Sequence, residues 1–238
     1  MVMSKTPDVF YLMVTLVILM FICIKTRKLT IPASFLAAAI GIMVFQAAQW
    51  TGIWMLLAFF MLSVLATAHQ KNIKTKLHRD NLANKARNTG QVFANGGVAG
   101  LTAILAIIYP RHADPYILMM AASLASALAD TLSSELGMVY GRNFYNILTF
   151  KKETNGLDGV ISLQGVLIGA AGACIIAFIY AGFNKIGLIV VFAGILGNLA
   201  DSVLGAAFER KHYIGNNAVN FLNTLFAAAT AMIIYLFR

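Results

Sequence analysis

Eight apolar runs divide the chain: Val9–Ile24, Ile31–Ala48, Gly52–Ala68, Gln91–Tyr109, Tyr116–Tyr140, Val160–Ala181, Ile186–Phe208 and Ala218–Phe237. A helix rising about 1.5 Å per residue needs about 20 apolar residues to cross the hydrocarbon core of a bilayer, and each run approaches or exceeds that length. The pattern lacks the alternating segments of about ten residues that mark a membrane barrel, so helices are expected. Little more than Gln49–Thr51 separates the second and third runs, which predicts a tight helical hairpin or a re-entrant unit. The expected fold is all-α, a polytopic membrane bundle of about eight transmembrane helices, with seven to nine compatible with the pattern.

Composition removes the competing classes. Of 238 residues, 60% are hydrophobic and 11% charged, against about 25% charged in soluble domains. A mean hydropathy of +0.78 demands more apolar burial than a soluble chain of this size can provide. The first run is not a convincing secretory signal, because Asp8 precedes it and Lys25, Arg27 and Lys28 follow where a small-residue cleavage site should stand. Cys23 and Cys174 lie inside apolar runs without a CxxC or Cys/His cluster, so neither a disulfide framework nor a zinc site is expected.

Charge then orients the spans. With both termini extracytoplasmic, fourteen of the eighteen Lys and Arg residues fall in cytoplasmic loops, and every inside loop is richer in them than its neighbours. The net charge of +9 is thus explained by loop retention and anionic headgroups, with no nucleic acid partner required. The organisation expected is one integral membrane domain over 1–238: three helices in 1–70, a basic cytoplasmic loop with an amphipathic helix in 71–90, and a five-helix region in 91–238. The basic stretch Lys71–Arg87 reads first as a solvated, membrane-facing surface, with docking of nucleotide phosphates as the sharper alternative.

Ionisable groups inside membrane helices are costly and mark functional sites by default. Asp130, Glu135 and Asp201 are set in apolar runs, with Glu209 at a helix end. Asn198 and Asp201 share a helix face, and Glu209 follows two turns later, whereas Asp130 and Glu135 diverge by about 140° on a regular helix. The topology brings Asn88, Gln91, Asn95, Asn216, Asn217, Asn220 and Asn223 to the same cytoplasmic depth, together with the loop Gly141–Asp158. A polar layer on one side describes a site on the cytosolic face rather than a pore. Carboxylates with carboxamides and little His or Cys suit Mg²⁺ and substrate phosphates, and phosphoryl or nucleotidyl transfer needs little beyond positioning and charge neutralisation.

Five pieces also resemble one integral membrane family, domain of unknown function 92, which includes phytyl-phosphate kinase and transmembrane protein 19. They are Arg87-Asn88 with Gln91–Gly97, Ala129–Thr131 with Glu135–Gly137, Asp158–Ser162 with Gly165, Asp201–Ala206, and Asn216-Asn217 with Val219–Phe221. The loop Thr149–Gly156 lacks the proline-rich form associated with the family, and Glu209 stands where a neutral amide is expected. The resemblance implies a multi-pass kinase of the cell membrane. It would transfer phosphoryl from a nucleoside triphosphate, expected to be CTP, to an isoprenoid monophosphate with Mg²⁺ at the cytosolic face. Asp130, Glu135 and Asp201 are the expected catalytic carboxylates and, with Glu209, the metal ligands. Asn88, Gln91, Asn95, Lys151, Lys152, Asp158, Ser162, Asn198, Ser202, Asn216, Asn217 and Asn220 are expected around substrate and nucleotide. The lipid tail is expected between helices where Gly165, Gly169 and Gly172 leave room, and a homo-oligomer is compatible with the sequence. A CDP-lipid-forming nucleotidyltransferase and an ion-coupled transporter remain open alternatives; the segments around Asp130 and Asp201 are loosely alike, as a parallel repeat would make them.

Overall fold

The computed structural model describes residues 6–77 and 86–238. Its helices are α1 (Thr6–Lys25), α2 (Ile31–Ala68), α3 (Lys71–Leu77), α4 (Thr89–Ile108), α5 (Ala113–Tyr140), α6 (Leu163–Ala181), α7 (Lys185–Leu204) and α8 (Asn216–Leu236). Among the described residues, seven helical segments are long and apolar enough to cross a membrane. The second of these, α2, runs for 38 residues but breaks at Gln49 (φ 52°, ψ −144°). Its two arms fold back on each other: Phe60 packs with Ala37 against Cys23, Leu29 and Ala33, and Ile53 packs with Phe45. The expected hairpin is therefore present, and the seven segments supply eight membrane-length arms. The middle of the basic loop expected over 71–90, including Arg79 and Lys85, lies outside the described residues.

Side-chain acceptors start the helices. Thr30 caps α2, Asn88 caps α4, Ser162 caps α6 and Asn184 caps α7, each accepting from a first-turn N–H, so donors that have no intrahelical partner are satisfied. At the centre, α5 is buried continuously from Met120 to Ala129. That stretch reads Met-Ala-Ala-Ser-Leu-Ala-Ser-Ala-Leu-Ala, and its small side chains let α2, α4, α6, α7 and α8 all pack against it. Close approach replaces the hydrophobic drive that lipid cannot supply.

Between α5 and α6 the backbones come close. A Cβ on Gly137 would lie 3.0 Å from the Gly165 Cα, one on Gly169 would lie 2.8 Å from the Ala129 carbonyl oxygen, and one on Gly172 would lie 2.9 Å from a Leu132 methyl. The space expected for a lipid tail at Gly165, Gly169 and Gly172 is thus filled by α5, because glycines on one helix admit the neighbouring backbone before they admit a ligand. A second departure concerns the start of the sixth run. Val160–Ile161 forms a strand, β2, pairing antiparallel with β1 (Tyr145–Asn146), and α6 begins only after Ser162.

Candidate active site

The polar groups collect at one end of the bundle, where α5 and α7 finish and α4 and α8 begin. Asp130 on α5 and Asp201 on α7 place their carboxyl groups within hydrogen-bonding reach of each other. The sequence permits this because α7 meets α5 through glycine. A Cβ on Gly194 would lie 2.9 Å from the Ala125 Cβ, and one on Gly197 would overlap the Ser126 hydroxyl. Asn223 of α8 completes the arrangement. Fully buried, it donates from Nδ2 to Asp201 Oδ2 at 2.5 Å and accepts from Ser126 Oγ at 3.0 Å. Two facing carboxylates in a low-dielectric layer repel strongly unless a proton or cation lies between them.

Glu135 borders the same space but is taken up by an ion pair. Five residues beyond Asp130 on the same helix, it pairs with Lys74 Nζ at 2.6 Å. Lys74 also donates to the carbonyl oxygens of Ala66 at 2.7 Å and Thr67 at 2.9 Å. All three ammonium donors are therefore used, two of them on the last turn of the α2 hairpin, where a cation complements the helix dipole. Lys74 is buried, so at this position the stretch expected as a solvated surface instead turns inward and anchors α3 beneath α5. Arg87 also lies near Glu135; burial pushes its guanidinium pKa down and the Glu135 charge opposes that shift.

At the mouth of α4, Asn88 and Gln91 form a reciprocal capping box, with both bonds at 3.0 Å. Arg87 just before them is clipped to the start of α2: its N–H donates to the Lys28 carbonyl and its carbonyl accepts from Thr30 N–H, both at 3.0 Å. The other wall is the loop between α5 and α6. Arg210 reaches from the α7–α8 connection to Glu153 Oε2 at 2.7 Å and to the Asp158 carbonyl at 2.5 Å, and this hydrogen bond holds the Glu153 carboxyl below its ordinary pKa. Gly159 (φ +71°) lies flat on Ala206, whose backbone nitrogen would be 2.5 Å from any Cβ there. Ala206 belongs to a π turn, Gly205–Glu209, in which Arg210 N–H donates to the Gly205 carbonyl at 3.2 Å. The π turn inserts a residue, so Asp201 and Glu209 are not spaced as on a regular helix, yet both face the same space.

These elements enclose a cavity of about 730 Å³. Of the residues expected from sequence, Asp130, Glu135, Asp201, Glu209, Gln91, Asn95, Asp158, Ser162, Asn198, Ser202, Asn216 and Asn220 line it. Asn88 and Asn217 meet at Gly90, where the Asn217 Nδ2 lies 2.8 Å from the position of a Cβ, at the helix start and outside the lining. Lys151 and Lys152 are exposed and also lie outside it. The cations that do line it are Arg27, Lys28, Lys71, Lys74 and Arg87. The sequence places Asn223 in the polar layer and marks Lys71–Arg87 as a stretch that could dock phosphates, but singles out none of these residues, nor Arg27 and Lys28, for the site. Asn223 continues the face of Asn216 and Asn220 at helical spacing, a signal present in the sequence; which of the many basic residues face the cavity is not, because they converge only when the α2 hairpin closes.

Among the described residues no group of three or more His, Cys, Asp or Glu side chains converges to hold a metal ion. The facing pair Asp130–Asp201, with carboxamides around it, nonetheless fits Mg²⁺. That ion commonly takes one or two protein carboxylates and completes its shell with water and substrate phosphates.

Residues 14–228 match the family described as Integral membrane protein DUF92. The chain is 37% identical over 184 residues to an uncharacterized membrane protein of Methanocaldococcus jannaschii, covering 76% of this chain and 75% of that one. It is 28% identical over 219 residues to an uncharacterized membrane protein of a Synechocystis strain, covering 88% and 84%. It is also 28% identical over 222 residues to the protein VTE6, chloroplastic, of Arabidopsis thaliana, covering 87% and 66%. No solved structure matches the chain.

Proposed function

Because the chain belongs to the DUF92 family of integral membrane proteins, we propose that it is a membrane phosphotransferase. In this reading it moves the γ-phosphoryl group of a nucleoside triphosphate, with CTP the expected donor, onto an isoprenoid monophosphate. The observation that carries the reading is the cavity itself, lined by two facing carboxylates, by carboxamides and by five cations, of which Lys74 is already paired with Glu135. The motif resemblance to a family that includes phytyl-phosphate kinase supports the choice of acceptor. The concentration of Lys and Arg in the loops at this end supports a cytosolic site in the cell membrane.

A phosphate monoester is already an anionic nucleophile, so the protein's work is to position it and spread charge. An oxygen of the lipid phosphate forms a bond to the γ-phosphorus while the bond from that phosphorus to the β–γ bridging oxygen breaks, leaving lipid diphosphate and nucleoside diphosphate. Arg87, Lys28 and Arg27 offset the negative charge of the two phosphate chains. Gln91, Asn95, Asn198 and Asn220 orient phosphate or ribose oxygens. Asp130 and Asp201 would hold Mg²⁺, which would supply neutralisation of phosphate charge. Asn223 fixes the carboxylate of Asp201, and Glu135, held by Lys74, sets the position of α3 against the site.

The test uses purified full-length protein with γ-³²P-labelled CTP or ATP and geranylgeranyl or phytyl monophosphate. Label should appear in an extractable lipid diphosphate, and Asp130→Asn and Asp201→Asn should each abolish it while keeping a monodisperse protein. Absence of transfer from either nucleotide across a panel of lipid phosphates refutes the kinase reading. Label arriving instead from α-labelled CTP identifies a nucleotidyltransferase.

A further inference from the structure

A second, apolar cavity of about 140 Å³ lies between α1, the two arms of α2 and α4. Its wall on the first arm is built from Ser34, Ala38 and Gly41, successive turns of one helix face covering about 10 Å of rise. Leu16 of α1 and Ile53 of the second arm close its far end. Three residues, Arg87, Gln91 and Asn95, line both this cavity and the polar one. The two spaces therefore adjoin along the first turns of α4, with a guanidinium and two carboxamides on the border. The glycines of α6, by contrast, are packed against α5 and offer no room for a chain.

We propose that the apolar cavity seats the first part of the hydrocarbon chain of a lipid monophosphate whose head occupies the polar cavity; this assignment rests on the phosphotransferase reading above. The charge pattern selects the occupant. Arg87 stands where the anionic head must join the tail, its backbone fixed at that border by hydrogen bonds to Lys28 and Thr30. The size is also right. An apolar cavity near 150 Å³ accepts a benzene-sized guest, so this one takes the branched carbons nearest the phosphate, and the remaining chain continues past α1 into the bilayer. An ordinary phospholipid carries two acyl chains on a glycerol beside its phosphate, and a cavity of about 140 Å³ does not suit that bulk.

The proposal is tested by binding rather than turnover. The full chain in nanodiscs is photolabelled with geranylgeranyl monophosphate carrying a diazirine on the isoprene unit next to the phosphate, and adducts are mapped by peptide mass spectrometry. Adducts are expected on α1, both arms of α2 and the first turns of α4. They should be competed by unlabelled geranylgeranyl monophosphate and not by phosphatidylcholine. Ala38→Phe should reduce labelling about tenfold, the affinity carried by burying about two methylene groups. Ala38→Leu, a milder plug, should reduce it less and guards against a folding defect in the larger variant. Adducts confined to α6 or α8, equal competition by phosphatidylcholine, or labelling indifferent to both substitutions overturns the assignment. Groove labelling without phosphoryl transfer in the radiolabel assay would refute the kinase reading and leave this subsite standing; transfer without groove labelling would do the reverse.

Discussion

Replacing Lys74 with methionine keeps the length of the side chain and removes its charge. Three interactions are lost together: the 2.6 Å pair with Glu135 and the bonds to the Ala66 and Thr67 carbonyls. The lysine side chain is 6% exposed and its partner 22%, so the stranded glutamate is largely, though not wholly, cut off from water. Removing one partner of a fully buried pair costs about 3–5 kcal/mol. Arg87 nearby offsets part of the stranded charge, and the residual exposure of Glu135 offsets more, so the expected loss is about 2–3 kcal/mol. For a chain of this length each kcal/mol moves Tm by about 2–4 °C, giving a drop of about 5–10 °C. The assay is thermal unfolding of the detergent-solubilised protein followed by size-exclusion chromatography. Adding Glu135→Gln removes the stranded charge and should recover at least about 1 kcal/mol relative to the sum of the single variants, as expected for residues in direct contact. A Lys74→Met protein melting within about 1 °C of wild type, or strict additivity in the double variant, would refute the anchoring role.

Gly159→Ala should impair activity more than stability. A left-handed φ costs a non-glycine residue about 1–2 kcal/mol, and the new methyl has no room against Ala206, so the Asp158 turn must lift from the π turn; activity and Tm measured on one preparation separate the effects. Gly169→Val forces α6 away from α5 and Asn198 and should cost about 1–3 kcal/mol by overpacking, read as a fall in Tm. The Arg210–Glu153 clasp has a defined pH response. Because the folded Glu153 has a lowered pKa, its contribution is full above the ordinary glutamate range and is lost as pH falls through the folded value. Limited proteolysis of the 141–162 loop should therefore accelerate at acid pH in wild type, and Glu153→Gln should show the fast rate already at neutral pH.

Much of this architecture is written in local pattern. The spans follow from hydropathy because no other environment tolerates such runs, and Asn88 with Gln91 announces the start of α4 through a reciprocal hydrogen-bond pattern that needs only four residues. Asp130, Asp201 and Asn198 stand out because charge and amide are expensive in lipid. What failed to show is what depends on partners distant in the chain. Glu135 and Asp130 look equivalent as acids in one helix, and only the packing of α3 reveals that Glu135 faces a lysine 61 residues away. Lys151 and Lys152 attract notice as adjacent cations in a loop at the correct end, yet they are exposed, and the short bridge of Tyr145 to Lys152 leaves no periodic trace that would have shown it. The glycines of α6 signal close approach but not whether a ligand or a backbone will occupy the gap.

The interlock of α5 with α6 bears on how the protein can change. Where hydrogen atoms are the only side chains between two backbones, there is nothing to exchange, and any larger residue moves a helix instead of reshaping a surface. The α1–α2–α4 side is different: alanine, leucine and phenylalanine face one another across a gap, and single substitutions there alter its width without touching the carboxylate pair. A protein built this way has one wall on which variation is prohibited and one on which it is inexpensive, so variants with altered molecular selectivity should be recoverable from libraries restricted to the second wall.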